Sequence, residues 1–251
     1  MILHWILAIS FLFTLLTLLW WLSVKKKDVS IVDPAWSLGI FLQPFVIFFL
    51  QKEKTVAQWL MLILVGGWAF RLSGYLIYRL WGKGEDKRYQ AMRENDPYFI
   101  RNSLWKVFWL QGILMCLVAI PLNLIMIDTS YAWGGWSLIA LLIALAGLIY
   151  ETVADLQLLQ FKANLENRGK VLDKGLWGRS RHPNYFGEFL FWWGIYLLSL
   201  PVGWAITWVS PALMTILLLK VSGVTLLEKH MEEKETFSDY KNRVPPFFPK
   251  L

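Results

Sequence analysis

Cysteine is almost missing. Cys116 is the single one in 251 residues and sits in an apolar run, which excludes an intrachain disulfide and reads as a small core residue. Histidine is scarce too. His4, His182 and His230 lie in different regions, without the ligand spacing of a zinc site or a haem pair. No Walker A sequence is present, no GxGxxG follows a strand, and no GxSxG elbow appears. What survives these absences is chemistry whose reactive group belongs to a cofactor, such as a hydride carrier or a methyl donor. There is no internal repeat, no low-complexity segment and no loop long enough for a second domain, so residues 1–251 read as one domain. The opening MILHWILAISFLF lacks a basic n-region and a small-residue cleavage site and reads as a retained first span.

Apolar residues are abundant. They make up 57% of the chain, with 16 Trp, and the mean hydropathy is +0.46. That is too apolar for a soluble domain and fits a polytopic membrane protein with many helix ends at an interface. The net charge of +7 then sets topology and does not point to nucleic acid. Apolar runs of bilayer length predict an all-α bundle of seven transmembrane helices, near 2–24, 31–50, 56–80, 104–127, 136–161, 184–200 and 202–227. Asp33, Pro34 and Pro44 predict a kink or late start in the second span, and Leu200-Pro201 a tight turn between the last two. With seven spans, one side of the membrane receives only Lys52 and Lys54 among its loop cations. The other receives Lys25 to Lys27, the loops around Arg88 and Arg179, and the tail. This asymmetry predicts an outer N-terminus and a cytoplasmic C-terminus.

Ionisable residues inside spans are costly and usually face a bundle interior or a wet cavity. Here they fall at a common depth. Asp33 opens span two, and Trp68, Arg71, Tyr75 and Arg79 share one face of span three. Glu151, Asp155 and Lys162 form a stripe on span five, Asn184 and Glu188 open span six, and Lys220 and Glu228 close span seven, with Tyr240, Lys241 and Arg243 in the tail. One polar cavity open to the cytoplasm would account for them all. Each has a blander reading. Arg71 pairs Asp33 or Glu151, Arg79 snorkels, and Glu151, Asp155 and Lys162 are the solvated end of a long helix. Glu232 to Glu235 form a solvated face, Gly84 to Arg88 a loop with surface pairs, and Tyr240 and Arg243 anchor the tail.

The stretch GLWGRSRHPNYFGEFLFWWG, from Gly175 to Gly194, concentrates the signal. Pro183 suits a first helical turn, and Asn184 and Glu188 share one face of that helix. A helix start flanked by Arg179, Arg181 and His182 is a natural seat for a phosphate or carboxylate. The alternative is a juxtamembrane anchor of basic and aromatic residues.

GLWGRSRHPNYFGE, with ETVADLQLLQFK, RLSGYLIYRLWGKGEDKRYQAMRE and LLKVSGVTLLEKHMEE, resembles a bacterial membrane family of unknown function that is similar to the C-terminal domain of steroid 5-alpha-reductases. The likeness covers the chain from about Asp33 to the tail. A shorter RHPxYxG-like block also occurs in isoprenylcysteine and phospholipid methyltransferases. The resemblance implies a multi-pass protein of a bacterial inner membrane that binds NADPH from the cytoplasm and reduces an enone. It implies cofactor contacts at Asn184, Glu188, Asp155, Lys162, Arg71 and Arg79. The convergent polar residues and the basic helix start add Glu151, Arg179, Arg181, His182, Tyr185, Glu228 and Tyr240 as cofactor-binding candidates. The Gln-Pro-x-Glu motif of steroid reductases is missing, with Asp33-Pro34-Ala35-Trp36 the nearest feature, and Trp68 stands where their carbonyl-binding Tyr would be. Catalytic donors to the substrate carbonyl are then Tyr75 and a protonated Asp33, and the substrate is a lipophilic enone from the bilayer. Rival readings are an S-adenosylmethionine-dependent methyltransferase and a non-catalytic protein that binds lipid headgroups.

Overall fold

The computed structural model describes residues 2–221, 223–231 and 237–250, without the side chains of residues 226, 229 and 230. The acidic run Glu232 to Glu235 lies outside the described residues. Every described regular element is helical. In chain order these are α1 (Ile2–Lys26), α2 (Val32–Leu50), α3 (Val56–Leu80), α4 (Lys87–Glu94) and α5 (Phe99–Ser103). A π-helical stretch, Leu104–Trp109, leads into α6 (Leu110–Val118) and then α7 (Ile120–Ile127). α8 (Ser137–Ala163), α9 (Pro183–Thr207), α10 (Val209–Ile216), α11 (Val224–Met231) and α12 (Phe237–Arg243) follow.

Five of these helices are long and apolar enough to cross a membrane: α1, α2, α3, α8 and α9. A sixth is counted if Phe99–Val118 and Ile120–Ile127, bent by 54°, form one span. These are the helices of a multi-pass membrane protein. The bend follows from Pro121, which has no N–H to continue the ladder. Two expectations are corrected. α2 runs unbroken through Pro44 to Leu50, and Gln43 Nε2 donates to the Gly39 carbonyl at 3.2 Å beside it. The break expected at Leu200-Pro201 falls at Gly203, whose φ of 145° suits glycine, and the apolar helix beyond it covers only Val209–Val221.

The chain forms two compact units: Met1–Ala132 with Pro201–Ile206, and Trp133–Leu200 with Thr207–Leu251. In the first, Thr55 and Gln58 form a capping box that starts α3. Gln58 is fully buried, and its Nε2 donates to the carbonyls of Ile125 and Asp128, both at 2.9 Å, which satisfies the end of α7. Ser37 Oγ donates to Ala69 O at 2.9 Å, joining α2 to α3. Of α1, only Ala8, Leu12, Leu16 and Ser23 are buried; Leu3, Leu7, Leu15, Leu18 and Leu22 are exposed, as suits a helix facing lipid.

The second unit is built on a close crossing of α8 and α9. A Cβ on Gly147 would lie 2.4 Å from Phe191 N and 2.6 Å from Gly187 O. One on Gly194 would lie 2.6 Å from Ala144 N. Small residues let the two backbones touch, as in tightly packed transmembrane pairs.

Candidate functional site

In the second unit, the crossing brings the α8 carboxylates to the start of α9. Glu151 and Asp155 are 2% and 3% exposed, so this part of α8 is not the solvated end of a long helix. Asn184 Nδ2 donates to Asp155 Oδ1 at 3.2 Å. Glu188, one turn on, is buried as well. Lys162 is exposed two turns beyond Asp155. The loop before α9 is moored to α8: Leu176 N donates to Gln157 Oε1 at 3.0 Å, and Trp177 Nε1 to Ala154 O at 3.0 Å. Gly175, with φ of 62°, makes the turn against Gln157.

The expected phosphate ligand Arg181 has a different place. Its Nε and Nη2 donate to the two Glu228 oxygens at 2.7 and 3.1 Å, and its Nη1 to the carbonyls of Lys241 and Val244 at 2.9 and 2.6 Å. The guanidinium is a clamp on the tail, with Glu228 as its partner. His182 Nε2 lies 3.3 Å from Glu228 Oε1, and its ring stacks on Tyr185 at 5.6 Å and 4°. Burial pushes the Glu228 carboxyl up, but the hydrogen bonds from His182 and Arg181 and their charge outweigh it and hold the group at about 2. Tyr240 donates to Trp177 O at 2.6 Å, and burial pushes its hydroxyl well above the usual range. Arg181 N and Ser180 Oγ donate to the carbonyls of Pro245 and Phe247, closing the tail over the loop. Arg179 differs from all of these, for its side chain is exposed beside the α9 start.

In the first unit, Asp33 is engaged as an acceptor. Arg88 Nη2 donates to its Oδ2 at 2.8 Å and the Tyr89 hydroxyl to its Oδ1 at 2.7 Å. Asp33, expected above as a donor to substrate, has both oxygens engaged by Arg88 and Tyr89. Burial and then the Asp33 charge keep the Tyr89 hydroxyl well above its ordinary range. Asp86 caps α4, accepting from Arg88 N at 2.9 Å. Glu85 accepts from Arg93 and from Val29 N, so the Gly84 to Arg88 segment does more than carry surface pairs. Trp68 is fully buried and Arg71 half-buried, and the Arg79 guanidinium carbon lies 5.8 Å from the Tyr75 ring centroid. Arg88 and Tyr89 were missed from sequence; an Asp inside an apolar run needs a partner, and Asp86-Lys87-Arg88-Tyr89 is a capped helix start that offers two. Tyr89→Phe removes one hydrogen bond to a charged group and should cost about 1.5–3 kcal/mol in thermal unfolding. An unchanged melting temperature would show that Arg88 alone satisfies Asp33.

Among the described residues, no group of three or more His, Cys, Asp or Glu side chains is arranged to hold a metal ion. The profile of a family described as "Protein of unknown function (DUF1295)" matches residues 19–244. An uncharacterized protein of Schizosaccharomyces pombe is 28% identical over 269 residues, covering 95% of this chain and 78% of its own length. No solved structure matches.

Proposed function

The chain belongs to the DUF1295 family, and from that premise we propose that it is a membrane reductase that uses NADPH to saturate a carbon–carbon double bond conjugated to a carbonyl in a lipophilic substrate. The observation that carries this reading is the Asn184–Asp155 contact at the α8–α9 crossing, with exposed Arg179 beside the same helix start. Buried carboxylates, an amide and exposed cations at one place suit a ligand that is polyanionic at one end and an amide-bearing ring at the other. The reading includes seven spans with the N-terminus outside and the C-terminus cytoplasmic, in a bacterial inner membrane. The bent pair then counts as one span and Val209–Val221 belongs to the seventh; the loop charge asymmetry supports this.

Arg179 and Lys162 would hold the phosphates. Asn184 spends one amide hydrogen on Asp155 and keeps its oxygen as an acceptor for the cofactor's carboxamide. Arg181, His182 and Glu228 position the loop that carries Arg179. When bound, NADPH supplies a hydride to the β carbon of the enone. Negative charge then develops on the carbonyl oxygen, and a positioned hydrogen-bond donor must stabilise it. A proton from water completes the product at the α carbon.

Calorimetric titration of the detergent-purified protein with NADPH and S-adenosylmethionine, side by side, tests the reading. Micromolar binding of NADPH alone supports it. Binding of the methyl donor alone would replace it with a methyltransferase, and binding of neither with a lipid-binding protein. Arg179→Ala should weaken NADPH binding about tenfold, the loss of ~1.4 kcal/mol of charge-assisted contact.

A further inference from the structure

The α1–α2 hairpin carries a groove that the proposed reaction does not use. Its volume is about 400 Å³ and its lining is apolar. Leu12 and Leu16, 2% and 3% exposed, lie at its base, and Leu15, Leu18 and Leu22, 39%, 57% and 38% exposed, line its outer side. From Leu12 to Leu22 it follows α1 for about 15 Å at ~1.5 Å per residue. That is the depth of one leaflet of a hydrocarbon core about 30 Å thick.

Charge marks one end. Lys25, Lys26 and Lys27 follow Leu22 after two residues, and all are exposed. The Lys25 ammonium lies 3.5 Å from the Trp21 ring centroid, and half-exposed Trp21 is the kind of side chain that sits at headgroup depth. The acids of this end are engaged elsewhere. Asp28 accepts from Ser30 N at 2.9 Å, Asp33 and Asp86 from Arg88, and Glu85 from Arg93. The lysines therefore present a net positive mouth to an apolar groove one leaflet deep.

We propose that this groove holds one acyl chain of an acidic phospholipid from the surrounding bilayer, with its phosphate on Lys25 and Lys26. The lipid fills the groove lined by the two helices, and it fixes the depth of the hairpin in the membrane. Complementarity of charge selects an acidic headgroup, and the length of the groove selects an ordinary acyl chain.

Native mass spectrometry and thermal unfolding of the full chain in mild detergent test this, with dioleoyl phosphatidylglycerol and dioleoyl phosphatidylcholine as probes. One phosphatidylglycerol should be retained in preference to phosphatidylcholine, by about fivefold for each lysine engaged. The double variant Lys25→Gln, Lys26→Gln should bind both lipids alike. Ala35→Phe, which fills the groove, and Leu18→Asn, which makes its exposed side polar and leaves the buried base intact, should each lose the retained lipid. Equal retention of the two lipids by the unaltered protein, or preference surviving the lysine substitutions, would overturn the proposal. So would undiminished retention in a folded Ala35→Phe or Leu18→Asn protein.

Discussion

Arg181→Ala should cost about 3–5 kcal/mol of stability, because it leaves Glu228 half-enclosed without its cation. In a chain of this size that is a fall of roughly 6–20 °C in melting temperature. Two further acceptors, the carbonyls of Lys241 and Val244, lose their donor in the same step, so the tail should become open to protease. The pH dependence has a definite sign. The Glu228 carboxyl falls from an ordinary 4.5 to about 2 in the folded chain, so its contacts with His182 and Arg181 contribute in full above about pH 4.5 and are lost as the pH drops towards 2. Melting temperatures measured from pH 7 down to pH 3 should fall for the unaltered chain and vary less for Glu228→Gln. An Arg181→Met, Glu228→Leu double variant should recover much of the loss, since an apolar pair leaves no charge to solvate. If Arg181→Ala melts like the unaltered protein, the clamp is not a stabilising device.

Gly187→Leu should have the larger effect on assembly. A Cβ at this position would stand 2.4 Å from Glu151 N and 2.7 Å from Gly147 O, both backbone atoms, so no rotamer change relieves it. The helices must separate, which breaks the Asn184–Asp155 contact and takes the loop's moorings on α8 with it. The cost should exceed the ~1–3 kcal/mol of ordinary overpacking. Size-exclusion chromatography after purification should show aggregate or no protein. Gly147→Ala sets a Cβ 2.4 Å from Phe191 N and 2.6 Å from Gly187 O, again backbone atoms, and should disrupt the same crossing. Gly67→Ala is the control: a Cβ there meets nothing within 4 Å, and it should be neutral or slightly stabilising. A monodisperse, stable Gly187→Leu protein would mean that α8 and α9 do not cross at these glycines.

Much of the fold was legible in the chain because the membrane imposes a simple code. A span must satisfy its backbone internally and bury no stray charge, so composition alone marks α1, α2, α3, α8 and α9. Breaks are harder to read, since a proline can be absorbed or can bend a helix depending on what packs beside it. Pro44 is absorbed in α2, Pro121 coincides with the 54° bend, and the turn expected at Pro201 falls at Gly203.

The same division holds at the candidate site. Sequence spacing alone put Glu151 and Asp155 on one stripe of α8 and Asn184 and Glu188 on one face of α9, because the helical period fixes which residues share a side. It could not say which cations are spoken for. Arg179 and Arg181 look alike two residues apart, yet one is exposed and the other is enclosed by Glu228 and the tail carbonyls, 47 and 60 or more positions away. Asp33 read from sequence as a catalytic acid or a partner of Arg71, whereas Arg88 and Tyr89, 55 and 56 residues on, donate to it in the fold. Local periodicity is written in neighbouring residues, whereas the pairing of buried charges depends on chain segments that only folding brings together.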